Sequence, residues 1–328
     1  MSGFERTHLI HSLSPFSEAK EGIINPHIDA YLHHYSLHPL TDISRYKIGC
    51  ITLDEITTTV QTFRQQKGTI CKGSVIIVHG YMDHTGLYSK LISLLLSQQL
   101  DVVCYDLSGH GLSNGDPLAA EDFKHYAIQL NQLLKHPDIP LAKPIHLIGQ
   151  STGGAIICAQ HQLLTKPAPL HGGQRILLAP LIRPAMWRSI KRRFRWLKYV
   201  LQRIPRRYSR NSHDAGFLHF LAEQDPLQHK KIPVSWIGAM LAWGDWLEAQ
   251  PACNNCIHVI QGTGDQTVDW QHNIEVFKQT YPELRVHLIT DARHHLVNES
   301  AKYRQQVFQE IERILRETIS LKQKKAAK

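Results

Sequence analysis

A serine hydroxyl becomes a competent nucleophile only when a base takes its proton and hydrogen-bond donors await the oxyanion. This sequence carries parts suited to that chemistry. Gly149-Gln150-Ser151-Thr152-Gly153 follows an apolar run ending at Ile148 and opens a helical pattern. That is a G-x-S-x-G nucleophile elbow between a strand and a helix. A serine on so sharp a turn adopts a strained backbone, and Gly149 and Gly153 let the chain pass on either side. The new helix aims its amino-terminal dipole at developing negative charge.

An acid and a base are expected downstream, in the chain order Ser, acid, His, each just past a late strand. Asp265 closes Gln261-Gly262-Thr263-Gly264-Asp265 after the run Ile257–Ile260, and His294 lies shortly after Val286–Ile289. Asp269 and Asp291 compete as acids and His295 as base; with 22 histidines in the chain, position after a strand carries more weight than residue type. The oxyanion donors are expected to be the backbone N–H of Thr152 and that of Tyr81, in the loop His79-Gly80-Tyr81. A second Gly-rich turn, Asp106 to Gly115, reads by itself as a scaffold loop.

These residues must be set by strands. Short apolar runs at 75–78, 102–105, 145–148, 176–178, 257–260 and 286–289 have the character of doubly covered parallel strands. Helical patterns at 87–99, 121–135, 153–166 and 271–280 alternate with them, which predicts a wound α/β sheet, mostly parallel, with helices on both faces. Tyr46 to Phe63 predicts an antiparallel hairpin at a sheet edge, turning at Asp54-Glu55. The division expected is an N-terminal extension (1–40), a core (41–180 and 251–320) interrupted by a helical cap (181–250), and a basic tail (321–328).

Composition narrows the class. With 328 residues, 42% of them apolar and 20% charged, the chain has the make-up of a folded protein with a large core. No run approaches the ~18 apolar residues of a membrane span. No apolar segment resembling a secretory signal stands at the amino terminus, and the six cysteines fall partly in apolar runs, so a cytoplasmic protein is expected. Cys253 and Cys256 have C-x-x-C spacing, yet no second pair completes a zinc site. Neither a G-x-G-x-x-G after a strand nor a P-loop is present. No metal and no cofactor are expected.

The formal charge of +9 is local: between Arg183 and Arg210 there are eleven Lys and Arg and no Asp or Glu. No nucleic-acid-binding motif accompanies them, so no nucleic-acid partner is expected. Trp187, Ile190, Phe194, Leu197, Leu201 and Ile204 recur at spacings of three and four, which predicts one apolar stripe on a basic helix. Such a helix either packs its stripe on the core or meets an anionic membrane surface, placing the protein at the inner face of a membrane.

Together the motifs resemble the monoglyceride lipase and lysophospholipase group of serine α/β-hydrolases, from about Ser44 to Leu315. His79-Gly80-Tyr81-Met82-Asp83-His84-Thr85-Gly86-Leu87-Tyr88 is similar to that group's H-G-x-x-E-H-x-x-R-Y loop, Asp106 to Gly115 to its D-x-x-G-H-G-x-S-x-G loop, and Gly149 to Gly154 to its G-H-S-M-G-G elbow. Ala292-Arg293-His294-His295-Leu296-Val297-Asn298-Glu299 resembles the A-R-H-E-x-x-N-E loop that holds the group's histidine, which selects His294 over His295. Gln150 stands where the group has His, Tyr81 where it often has a small residue, Asp83 for Glu and Leu87 for Arg. The resemblance implies the α/β-hydrolase fold and a cofactor-independent hydrolase of single-chain lipid esters, monoacylglycerol or lysophospholipid. A general carboxylesterase or thioesterase, an aminopeptidase on the same scaffold, and a catalytically silent binding homologue are the competing expectations.

Overall fold

The computed structural model describes residues 4–326, with side chains through Glu317. Ten strands run in chain order: β1 (Arg45–Leu53), β2 (Ile56–Arg64), β3 (Ser74–Val78), β4 (Asp101–Tyr105), β5 (Ile145–Gln150), β6 (Arg175–Leu178), β7 (Arg203–Pro205), β8 (Lys231–Pro233), β9 (His258–Gly262) and β10 (Arg285–Ile289). Eight of them form one sheet in the order β1-β2-β4-β3-β5-β6-β9-β10. β1 and β2 make the antiparallel hairpin, β2 pairs antiparallel with β4, and all later pairings are parallel. Asp54 and Glu55 both take positive φ (47° and 65°), the geometry of a hairpin turn whose twist matches its strands. All six parallel strands lie where the apolar runs predict them.

In β3, β4, β5, β6 and β9 the runs are continuous because both faces are covered, whereas β10, at the sheet edge, leaves Leu288 exposed. Along β3, Val75 and Ile77 belong to one apolar layer and Ile76 and Val78 to the other. The helices Phe123–Lys135, Thr152–Gln162 and Trp270–Thr280 fill the layer with Ile76. Pro26–His34, Ser89–Ser97 and the closing helix Ala301–Ala326 fill the layer with Val75. Burying each such side chain is worth about 1.5–3 kcal/mol, and successive residues divide that gain between the two layers. Residues 4–44 pack Leu9, Tyr31, Leu32 and Tyr35 into the second layer, and the backbone around Pro15 bridges Cys50 on β1. The basic tail carries the closing helix on to Ala326; Ala327 and Lys328 lie outside the described residues.

The interval between β6 and β9 holds the helices Trp187–Val200 and Val234–Glu248, a short helix at Ala215–His219 continuing as a π-turn, and the two-stranded β7–β8 sheet. The predicted stripe is corrected here. Trp187, Ile190, Phe194 and Leu197 are on one helix, but Leu201 ends it and Ile204 belongs to β7. No described helix is long and apolar enough to cross a membrane, and all six cysteines are free.

Candidate functional site

Parallel strands all end at the same edge, and the chemistry-bearing residues gather there. β5 runs straight into Ser151, whose φ of 52° and ψ of −110° put it in a backbone region that costs energy for any residue with a Cβ. The strain is held from both sides: the Ser151 N–H donates to the Leu178 carbonyl (2.8 Å), and its own carbonyl accepts from Leu181 N–H (3.1 Å) and Ala155 N–H (3.2 Å). A Cβ at Gly153 would sit 1.9 Å from the Val78 carbonyl oxygen, and one at Gly149 would sit 2.5 Å from Gly153. Both glycines are therefore demanded by close backbone approach at the elbow.

Asp265 and His294 meet. His294 Nδ1–H donates to Asp265 Oδ2 at 2.7 Å, leaving its Nε2 as the basic nitrogen. The same carboxylate accepts from Gln261 Nε2 (3.1 Å), Thr267 N–H (2.7 Å) and Val268 N–H (3.2 Å). Burial pushes the Asp265 pKa up, but His294 and these donors outweigh it and hold the carboxyl below its ordinary range. Ser151 and His294 line one cavity of about 470 Å³, within the size range of small-molecule sites. No hydrogen bond joins the two side chains in this arrangement.

The competing residues are otherwise engaged. Asp269 caps the helix Trp270–Thr280. Asp291 occupies a turn at φ 62°, with its N–H donating to Thr263 Oγ1. His295 Nε2–H donates to Asp83 Oδ1 at 3.2 Å, and Asp83 Oδ2 accepts from Tyr88 Oη (2.8 Å) and Gly80 N–H (3.2 Å). Burial pushes Asp83 up, yet its ion pair with His295 brings it well below the usual carboxylate range.

His79 sets the direction of the Tyr81 amide. The imidazole accepts from Leu107 N–H at Nε2 (2.9 Å) and so donates through Nδ1 to the Gly80 carbonyl (2.7 Å). Burial lowers the His79 pKa, in keeping with this neutral form. Asp83 N–H donates to the same Gly80 oxygen (3.1 Å). In a trans peptide the N–H opposes the C=O, so pinning the Gly80 carbonyl turns the Tyr81 N–H away from these donors. Among the described residues, neither Tyr81 N–H nor Thr152 N–H has a protein acceptor. The large Tyr81 ring stacks on Trp236 with centroids 3.5 Å apart and donates its hydroxyl to the Leu118 carbonyl (2.9 Å).

The Asp106 turn is a brace. Its buried carboxylate accepts from Thr85 N–H (2.8 Å), Thr85 Oγ1 (2.7 Å) and Leu112 N–H (2.8 Å), tying the loop after β4 to the loop after β3.

Three positioning groups escape the sequence reading. Gln150 Nε2 donates to the His294 carbonyl at 2.8 Å. Glu299, fully buried, accepts from the amides of Arg293 (2.7 Å), His213 (2.9 Å) and Ser300 (2.8 Å), fixing the loop that holds His294. Asp225 accepts from Tyr35 Oη (2.6 Å), His84 Nε2 (3.0 Å) and Gln228 Nε2 (2.7 Å), joining the N-terminal helices, the loop after β3 and the 181–250 segment. Gln150 and Glu299 lay within quoted motifs, whereas no local pattern marks Asp225.

The chain matches the family described as serine aminopeptidase, S33, over residues 69–301. The monoglyceride lipase homolog of Monkeypox virus is 25% identical over 258 residues, covering 74% of this chain and 89% of that protein. The monoglyceride lipase of Rattus norvegicus is 31% identical over 116 residues, so the match spans 34% of this chain and 36% of the rat protein. Among solved structures, a soluble variant of the Saccharomyces cerevisiae monoglyceride lipase superposes with a TM-score of 0.68 at 18% identity, over 82% of this chain and 94% of that one. The Paleococcus ferrophilus monoacylglycerol lipase gives 0.65 at 16% identity, over 78% and 97%. On the family match and the shared architecture, the chain belongs to the serine aminopeptidase S33 family and is an α/β-hydrolase of the monoglyceride lipase type.

Proposed function

We propose that the protein is a serine hydrolase that cleaves the carboxylic ester of a single-chain lipid, a monoacylglycerol or lysophospholipid, through an acyl-enzyme on Ser151. The observation that carries the reading is the 2.7 Å His294–Asp265 hydrogen bond beside a positive-φ Ser151 on one cavity. In this mechanism His294 Nε2 takes the Ser151 proton as Oγ attacks the ester carbonyl. Asp265 keeps the imidazole in the right tautomer and stabilises its cation. The Tyr81 and Thr152 amides receive the oxyanion, which lies at the amino terminus of the helix Thr152–Gln162. His294 then protonates the leaving alcohol, and water repeats the sequence to release the acid.

An acyl chain has an apolar wall to lie on, supplied by Leu181, Ile190, Phe194, Leu197, Val234 and Met240. An aminopeptidase needs a carboxylate to hold the substrate's ammonium. The cavity's Asp83 is already engaged by His295, Tyr88 and Gly80, which disfavours that reading. The 181–250 segment acts in this proposal as a cap, and its outer face as a contact for an anionic membrane. Trp196, Tyr199 and Val200 are 77%, 77% and 73% exposed, amid the basic residues of the same helix.

Labelling by a fluorophosphonate probe, followed by a panel of monoacylglycerols, lysophospholipids, thioesters and aminoacyl anilides, tests the proposal. The wild-type protein should label, Ser151→Ala should not, and the single-chain lipid esters should be turned over fastest. An unlabelled wild-type protein would sink the mechanism.

A further inference from the structure

The cavity that Ser151 opens on is lined largely by apolar side chains, and three arginines join them. Arg193, Arg206 and Arg207 all line it. Among the described residues no carboxylate oxygen comes within 4.0 Å of any of the three, although Arg183, Lys191 and Arg203 of the same segment are each paired with Glu248, Asp245 and Asp116. Arg206 is the most enclosed. It is half-buried just past the end of β7, bonded to Gln228 Oε1, and its guanidinium lies over the Tyr208 ring at 4.3 Å. Gln228 in turn donates to the Met82 carbonyl at 3.1 Å. Arg206 is thereby held against the loop whose Tyr81 amide is the proposed oxyanion donor.

A guanidinium withdrawn from water with no carboxylate in contact is costly: burial lowers the Arg206 pKa and outweighs the opposing pull of Tyr208, Asp83 and Asp225. Gln228 and Tyr208 satisfy it in part: one amide oxygen and one ring face leave most of its five donors for something else. Arg193 and Arg207, which line the same cavity, are likewise without an ion pair among the described residues, so an incoming anion is the group that completes the set.

We propose that Arg206, with Arg193 and Arg207 of the same cavity lining, is a subsite for the phosphate of the substrate's head group, so that the ester cleaved is that of an anionic lysolipid in preference to an uncharged glyceride. The inference rests on the serine-hydrolase reading given above and specifies its substrate. The acyl chain lies on the apolar wall, the ester carbonyl meets Ser151, and the phosphate faces the arginines. Guanidinium and phosphate match as planar fork and tetrahedral oxyanion, a bidentate fit that lysine does not reproduce.

The test uses the full chain and a matched pair of monomeric esters: monodecanoylglycerol and its phosphomonoester with the same chain. The expected result is a kcat/KM at least about tenfold higher for the phosphomonoester, the equivalent of one charge-assisted hydrogen bond. Arg206→Gln should lower the ratio of the two kcat/KM values by about tenfold, and Arg206→Lys should restore part of it. Calorimetric binding of the non-hydrolysable ether analogues of both esters reads the same preference without turnover, and melting curves show that each variant is folded. Inorganic phosphate and glycerol phosphate, added as competitors, separate a site for phosphate alone from one for the whole head group. A wild-type ratio near one, or a ratio that Arg206→Gln leaves unchanged, overturns the subsite. If neither ester is cleaved and Ser151 takes no fluorophosphonate while the ether analogues still show the preference, the hydrolase reading fails and the anion site stands.

Discussion

Gln150 donates its side-chain amide to the backbone carbonyl of His294 at 2.8 Å, so the residue just before the nucleophile holds the peptide that carries the base. The elbow after β5 and the loop after β10 are separated by β6 and β9 in the sheet, and this bond spans them. Gln150→Ala removes the tether without touching Ser151 or the imidazole. The expected outcome is a fall in kcat of about tenfold, inside the hundredfold that a misplacement of about 1 Å can cost, with KM little changed. Steady-state kinetics on the preferred ester measure the split; a rise in KM at constant kcat would assign Gln150 to substrate binding instead.

Asp265→Asn keeps the size of the side chain and reverses what it asks of His294. An amide can donate to Nδ1, which would then put the proton on Nε2, the nitrogen required to be free. We expect kcat to fall between about a thousandfold and ten thousandfold with the fold intact. Turnover and a melting curve on the same preparation check it, and a loss of less than tenfold would move the acid's role elsewhere.

Asp225 joins three parts of the chain through Tyr35, His84 and Gln228, with its side chain and that of His84 almost wholly buried. Asp225→Asn leaves His84 facing an uncharged group, a change expected to cost about 3–5 kcal/mol of stability. Burial raises the Asp225 pKa, but the coulombic pull and hydrogen bond of His84 take it down to about 2 from an ordinary 3.8. Its contribution is thus complete above about pH 3.8 and disappears as pH falls toward 2. Burial lowers the His84 pKa, yet Asp225 raises it on balance above 6.5, so the His84 contribution is complete below pH 6.5 and is lost as pH rises through its folded value. The stability gap between wild type and Asp225→Asn should be widest between these limits. Chemical denaturation across that range tests it; a gap independent of pH would mean the pair is not charged.

Trp196 and Tyr199 project from a helix whose opposite side, Ile190, Phe194 and Leu197, lines the cavity. Replacing both by Ser should reduce co-sedimentation with anionic vesicles severalfold, and salt should weaken what remains, since each basic residue near such a surface contributes about 1 kcal/mol. Equal recovery on neutral and anionic vesicles, insensitive to salt, would remove the electrostatic part of the contact.

What could be read from residue order alone follows a physical division. Short apolar runs announce the parallel strands, because a strand buried on both faces has no polar side to disguise it; all six lie on their runs, although β10, at the edge, leaves Leu288 exposed. The meeting of Asp265 and His294 was legible because residues just past parallel strands share an edge. The stripe that ended at Leu197 and was extended to Ile204 shows the opposite case: helical spacing persists by chance across a helix end, and nothing at Leu201 marks the change to β7. Asp225 was invisible because its partners, Tyr35 and His84, are far away in sequence and meet only when the segments fold together. Gln150 looked like a mere departure from a familiar motif; its use depends on the neighbouring loop's carbonyl, which no spacing reveals.

The bridge between Pro15 and Cys50 bears on how molecules of this protein can meet. Cys50 N–H donates to the Ser14 carbonyl (3.0 Å) and its carbonyl accepts from Phe16 N–H (2.8 Å), so midway along β1 the outermost ladder groups are already taken by the chain's own leading segment. A foreign strand seeking to lengthen the sheet there would first have to evict Phe16, whose ring is buried. The amino-terminal stretch thus serves as a selvedge, closing that margin of the fabric against unwanted stitching.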